Sequence, residues 1–170
     1  MIFYVCTAYL LSYNVKVTEI SLLDALKVQI YGSVLFGLAT VAAGKLADRF
    51  GRRELLIATV VAIAAFSFTL GPLLTAGIGG IYVFATIGMM LVGLNYGVLG
   101  AALAAPFPTQ VRYSGSSITF NLAGILGASL APYIATWLQT GYGIKYVGYY
   151  LLVTSLVTLA SILASVKTET

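Results

Sequence analysis

The sequence predicts an all-α fold, a polytopic bundle of membrane-spanning helices, and three observations predict it. Nine Lys or Arg and five Asp or Glu make the chain 8% charged, while 60% of it is hydrophobic. Soluble domains run near a quarter charged, so this chain has too little charge to cover a water-facing surface. Apolar runs recur at about the length that crosses a ~30 Å hydrocarbon core, roughly 20 helical residues. Those runs are continuous and do not alternate, which favours helices over a barrel, because a helix satisfies its backbone polar groups within its own segment.

Six runs emerge, at 1–14, 21–44, 54–74, 80–105, 114–139 and 146–166. The first is short for a crossing and lacks the basic leader and small-residue cleavage site of a signal peptide. It reads as the surviving end of a longer helix, with a short or re-entrant start as the alternative. Ser21 and Asp24 have capping-box spacing just before the second run, so Asp24 is expected to close that helix rather than to carry protons. In "PFPTQVRYSGSS", Pro106 and Pro108 stop the fourth run and Ser114 is placed to cap the fifth. With the turn after the second run in the cytoplasm, Lys45, Arg49, Arg52, Arg53, Arg112 and Lys167 fall inside and Lys16, Lys27 and Lys145 outside. That bias puts both chain ends in the cytoplasm of a cell-membrane protein. It also gathers Tyr142, Tyr146 and Tyr149, with Trp137 close by, at the outer interface, where amphipathic rings settle.

The same inventory excludes chemistry. A net charge of +4 without clustered cations and interleaved aromatics is no nucleic-acid surface. With one cysteine, Cys6, and no histidine, there is no internal disulfide, His-based metal site or catalytic triad. No cofactor, metal or enzymatic activity is expected. The acids Glu19, Asp24, Asp48, Glu54 and Glu169 all fall at run ends, so a proton-coupling carboxylate shifted by burial has to come from outside this chain.

Residues 44–53, "GKLADRFGRR", hold five charges in ten positions. At about 3 kcal/mol per charge for burial at the bilayer centre, they oppose spanning by on the order of 15 kcal/mol, so the stretch is expected as a loop in water. Any short cytoplasmic loop is basic, but the order of residues says more. Gly44 and Gly51 permit close backbone approach, Asp48 is placed to accept from a helix start or from Arg52, and the arginines suit headgroups or helix carbonyl ends.

The decapeptide resembles the signature of the major facilitator superfamily, G-x-L-x-D-[RK]-x-G-R-[RK], through Gly44, Leu46, Asp48, Arg49, Gly51, Arg52 and Arg53. "FPTQVRYSGSSITFNLAGILGASLAPYIATWL" is similar to the tenth-to-eleventh helix region of the metabolite/proton symporters, which carry shikimate, oxoglutarate, citrate or proline and betaine. Together they make the chain look like the C-terminal six-helix half of such a transporter. One departure is Ala105, where many relatives have a glutamate that would complete a charge network with Arg52 or Arg112. The resemblance implies alternating access by rocking of two halves about a solute near the midplane. It also implies that Asp48 and Arg52 latch the outward-facing state against an N-terminal six-helix half. A small organic acid or zwitterion carried by proton symport is the implied activity. A sugar-porter-like facilitator and a non-transporting six-span scaffold or channel are the alternatives. The expected partners are the bilayer, the solute and that other half.

Candidate path residues are set by depth and face. Ser117, Asn121, Gly124, Ala128, Ala131 and Ala135 recur by fours and threes, as one face of the fifth run, where close packing is the plainer role for the small residues. Gly88, Asn95 and Ala102 share a face of the fourth, with Tyr96 beside it and Gly93 and Gly97 in G-x-x-x-G spacing. Asn95 and Asn121 are amides at depth, suited equally to an interhelical bond or to a solute contact. Gln29, Tyr31 and Tyr9 are weaker candidates by position.

Overall fold

The structure, a computed structural model, describes residues 2–16 and 21–164, with the side chains of 14–16, 126 and 128 left aside. Lys16, Glu19, Lys167, Glu169 and Ala128, singled out above, have side chains outside that description.

The described residues form six helical rods. α1 covers 2–16 and contains a π-helical turn at Val5–Tyr9. α2 is Leu22–Phe50, α3 is Arg52–Thr75 and α4 is Gly77–Ala104. α5 covers 112–142 with a second π turn at Ile125–Ser129, and α6 is Ile144–Ala164. Four rods, α2, α3, α4 and α6, are long and apolar enough to cross a membrane, so the chain is a membrane protein. The expectation of six crossings meets that criterion at four. α1 is too short, and the π turn divides α5 into two helices of 13 residues each, the first rich in serine.

Single-residue turns join α2 to α3 at Gly51, α3 to α4 at Ala76 and α5 to α6 at Gly143. Gly51 and Gly143 sit at φ 94° and 99°, the left-handed region that a side chain resists, and each ends one rod and opens the next. At the start of α2, Ser21 Oγ accepts from the Asp24 N–H at 3.2 Å and donates to its carboxylate at 2.8 Å, while Lys27 Nζ donates to the same carboxylate at 2.8 Å. The capping role expected of Asp24 is present. Ser114 is not a cap: α5 begins earlier, at Arg112, behind Val111, and the Gly115 N–H reaches the Val111 carbonyl.

α2 and α4 form the most extensive pairing, and glycine makes it possible. A Cβ on Gly93 would lie 2.5 Å from the Phe36 carbonyl oxygen and 2.7 Å from Ala39 Cβ. One on Gly97 would lie 2.6 Å from Ala43 Cβ and from the Thr40 carbonyl oxygen. Small residues on both helices let the backbones approach, the packing that drives helix association where no water remains to be expelled. The main core lies toward the α3–α4 turn, with Val5, Tyr9, Leu10, Val28, Leu70, Leu74, Ile81, Phe84, Met89 and Val147 buried. A smaller cluster of Ala43, Ala47, Leu55, Leu56 and Val98 closes the end that carries the charged decapeptide.

Candidate functional site

The decapeptide is helical up to Phe50, with Gly51 alone as the turn, so it is a helix end rather than the loop expected from its charge. The physical reason is that charge forbids lipid, not helix: α2 carries its last turns beyond the apolar run. Gly37, Val41, Gly44 and Asp48 therefore share one face of α2, in steps of four, three and four, and all are exposed. A Cβ at Gly37 or Gly44 would meet nothing within 4 Å. The close approach expected at Gly44 thus has no partner among the described residues.

Asp48, Arg49, Arg52 and Arg53 are exposed, and Asp24–Lys27 is the ion pair found among the described residues. The contact between Asp48 and Arg52 considered from sequence is not made in this structure. Arg49 instead lays its guanidinium 5.2 Å from the centre of the Phe50 ring. Glu54, in the first turn of α3, folds its carboxylate toward Gly51, where a helix N-terminus favours negative charge.

The path candidates divide into two groups. Asn95 donates through Nδ2 to Thr59 Oγ1 at 3.2 Å, linking α4 to α3. It also lines an open pocket of about 120 Å³ with Val60, Thr154, Ser155 and Thr158, where α3, α4 and α6 meet. Gln29 donates through Nε2 to the Thr7 carbonyl at 2.8 Å and the Cys6 carbonyl at 3.2 Å, both within the π turn of α1. A π turn changes the backbone bonding pattern, and here the amide from α2 serves carbonyls in that turn. Tyr9 is buried, its hydroxyl 3.4 Å from Gln139 Oε1 on α5.

Tyr31, Tyr96 and Asn121 face outward. The Thr86 hydroxyl donates to the Tyr31 hydroxyl at 3.4 Å, and Tyr31 meets Tyr82 edge-on at 5.9 Å. Tyr96 stacks obliquely on Phe36 at 5.6 Å, and Phe36 touches Phe3 at 5.8 Å. These contacts draw a half-exposed strip of rings and hydroxyls across α1, α2 and α4. Sequence reasoning missed Phe36, Phe3, Tyr82 and Thr86, because their significance comes from neighbours on other helices. Asn121 is exposed and donates to its own helix, to the Ser117 carbonyl at 2.8 Å.

The expected single face of α5 is divided. Ala131 and Ala135 are buried, while Asn121 is exposed and Ser117 and Gly124 are half-buried. A π turn inserts about one residue, so the helix after it is rotated by about 100° relative to the helix before it. No residue of Arg112–Gly124 is buried.

The chain matches the Major Facilitator Superfamily over residues 1–169, and it belongs to that family of membrane transporters. The inner membrane metabolite transport protein YhjE of Escherichia coli (strain K12) is 40% identical over 175 residues, covering 99% of this chain and 40% of that protein. The proline/betaine transporter of the same strain is 36% identical over 119 residues, 68% of this chain and 23% of the relative. The citrate-proton symporter of Klebsiella pneumoniae is 31% identical over 152 residues, 86% of this chain and 32% of the relative. The chain therefore spans less than half the length of each of these relatives. They carry transporter names, not enzyme names. No solved structure matches the chain significantly.

Proposed function

We propose that this chain is the C-terminal six-helix half of a secondary transporter for a small organic metabolite, an organic acid or a zwitterion, working by proton symport. The observation that carries it is the signature face of α2: Gly37, Gly44 and Asp48 are small or charged, exposed and, among the described residues, unpartnered, while the glycine seam of α4 is tightly filled. A second six-helix half seated there would use the small residues for close approach and leave Asp48, with Arg52, to latch against it in the outward-facing state. The strip of Tyr31, Phe36 and Tyr96 with Asn121 would form this half's wall of the solute path, and Asn95 and Gln29 would hold the helices that bear it. α1 and α5 would then cross the bilayer as the first and fifth of six spans, with both chain ends in the cytoplasm. Since the acids among the described residues, Asp24, Asp48 and Glu54, fall at helix ends, the coupling proton would be carried by the other half.

The names of the relatives support a metabolite class and a proton-coupled member, and they guide the test. Uptake of labelled proline, betaine, citrate, shikimate and small dicarboxylates is measured in vesicles containing the full-length protein, with and without an inward proton gradient. Gradient-dependent uptake of at least one is expected. Uptake that ignores the gradient would move the protein to the facilitator class, and no uptake of any small solute would favour a scaffold.

A further inference from the structure

The end of the bundle opposite the signature carries a groove that the transport path does not use. It has a volume of about 230 Å³ and is lined by Ser67, Phe68, Gly71 and Pro72 of α3 with Lys145 and Tyr149 of α6. The two α6 residues are four apart and so share a face. Gly71 is buried and leaves room beside the lysine stem: a Cβ there would lie 3.6 Å from Lys145 Cγ. Among the described residues, neither the Lys145 ammonium nor the Tyr149 hydroxyl has a hydrogen-bond partner, and no carboxylate lies on α6 or on α3 beyond Glu54. The Ser67 hydroxyl is turned to its own helix, donating to the Ala64 carbonyl at 2.6 Å. Phe68 is exposed and gives the groove an apolar lip.

The surroundings indicate what such a groove meets. Trp137, Tyr142, Tyr146 and Tyr149 form a ladder of exposed rings, with centres 5.6, 5.5 and 5.8 Å apart, spanning the α5–α6 turn. Rings of this kind settle at the headgroup level of a bilayer, which places Lys145 at that depth too. A cation with no counter-ion, a phenolic donor and an apolar lip at the headgroup level complement a phosphodiester attached to a glycerol and acyl chains.

We propose that this groove binds the headgroup of an anionic phospholipid, its phosphate accepting from Lys145 Nζ and the Tyr149 hydroxyl while its glycerol end rests on Phe68 and Pro72. The site would tie α3 to α6 at the end away from the signature and make the protein's stability sensitive to anionic lipid.

The test is thermal unfolding of the purified full-length protein in detergent, titrated with phosphatidylglycerol or with phosphatidylcholine. Phosphatidylglycerol should raise the midpoint more than phosphatidylcholine. Lys145→Gln should weaken its apparent affinity about fivefold, the order of one lysine–anionic lipid interaction. Lys145→Arg should retain the affinity, and Tyr149→Phe should lower it less than Lys145→Gln. Equal response to both lipids, an unchanged affinity in Lys145→Gln, or an equal loss in the control Lys27→Gln, which does not line the groove, would each overturn the proposal. So would stabilisation of the same size by inorganic phosphate or glycerol phosphate at matched concentration, which would assign the groove to a soluble anion.

Discussion

The two faces of α2 use the same small residues to different ends. On one, Gly93 and Gly97 of α4 press against Phe36, Ala39, Thr40 and Ala43, and nothing larger than hydrogen fits without displacing backbone. On the other, Gly37 and Gly44 look into open space. The Arg112–Gly124 half of α5 behaves like the second face, with no buried residue, while Ala131 and Ala135 beyond its π turn are fully enclosed. Small side chains thus mark where a helix can be approached, and the approaching partner decides whether the approach occurs. In this chain one set is filled internally and the other stands open among the described residues.

The largest effect should come from filling the closed face. Gly97→Leu in the full-length protein should cost about 1–3 kcal/mol through overpacking against α2, seen as a lowered unfolding midpoint and a reduced yield of folded protein. Gly44→Leu, at the open face, should leave a protein of these 170 residues within about 0.5 kcal/mol of its parent. In the full-length carrier the same change should reduce uptake. If Gly44→Leu lowers the midpoint as much as Gly97→Leu does, the contrast between the faces disappears.

Asp48→Asn comes next. Uptake should fall severalfold in the full-length protein at normal expression, because the substitution keeps shape and removes the charge available for the latch; unchanged rates would count against it. A smaller change is expected inside the bundle, where Thr59→Val removes the acceptor of the Asn95 amide. An interhelical hydrogen bond is worth about 0.6 kcal/mol on average, so the midpoint should drop only slightly. Smallest for stability is Asn121→Ala, whose side chain, among the described residues, bonds within α5. It should leave the midpoint unaltered while changing the apparent KM for the solute, and an unaltered KM would remove Asn121 from the path.

Much of the architecture was legible beforehand because it rests on local terms. Charge scarcity set the solvent, the Ser21–Asp24 spacing identified a cap that the structure forms, and Gly93 and Gly97 were readable as a helix contact. The site was less legible. Charge in 44–53 suggested a loop, yet helix propagation continues through water-exposed residues as readily as through apolar ones, so α2 runs on to Phe50. The stripe from Ser117 to Ala135 assumed an unbroken 3.6-residue repeat, and the π turn at Ile125–Ser129 breaks it. Gln29 was a polar residue at modest depth; that its amide reaches the π turn of α1 depends on how two helices lie side by side.

By itself, the sequence determined that this chain lives in lipid, roughly where its long helices lie, and which family it belongs to. Those properties come from hydration and backbone bonding over a few neighbouring residues. Only the tertiary structure decided which glycines are occupied, which amides are spent between helices, and which rings remain exposed. Those outcomes depend on the rotation and register of whole rods against one another, and a single inserted residue in a π turn is enough to change them.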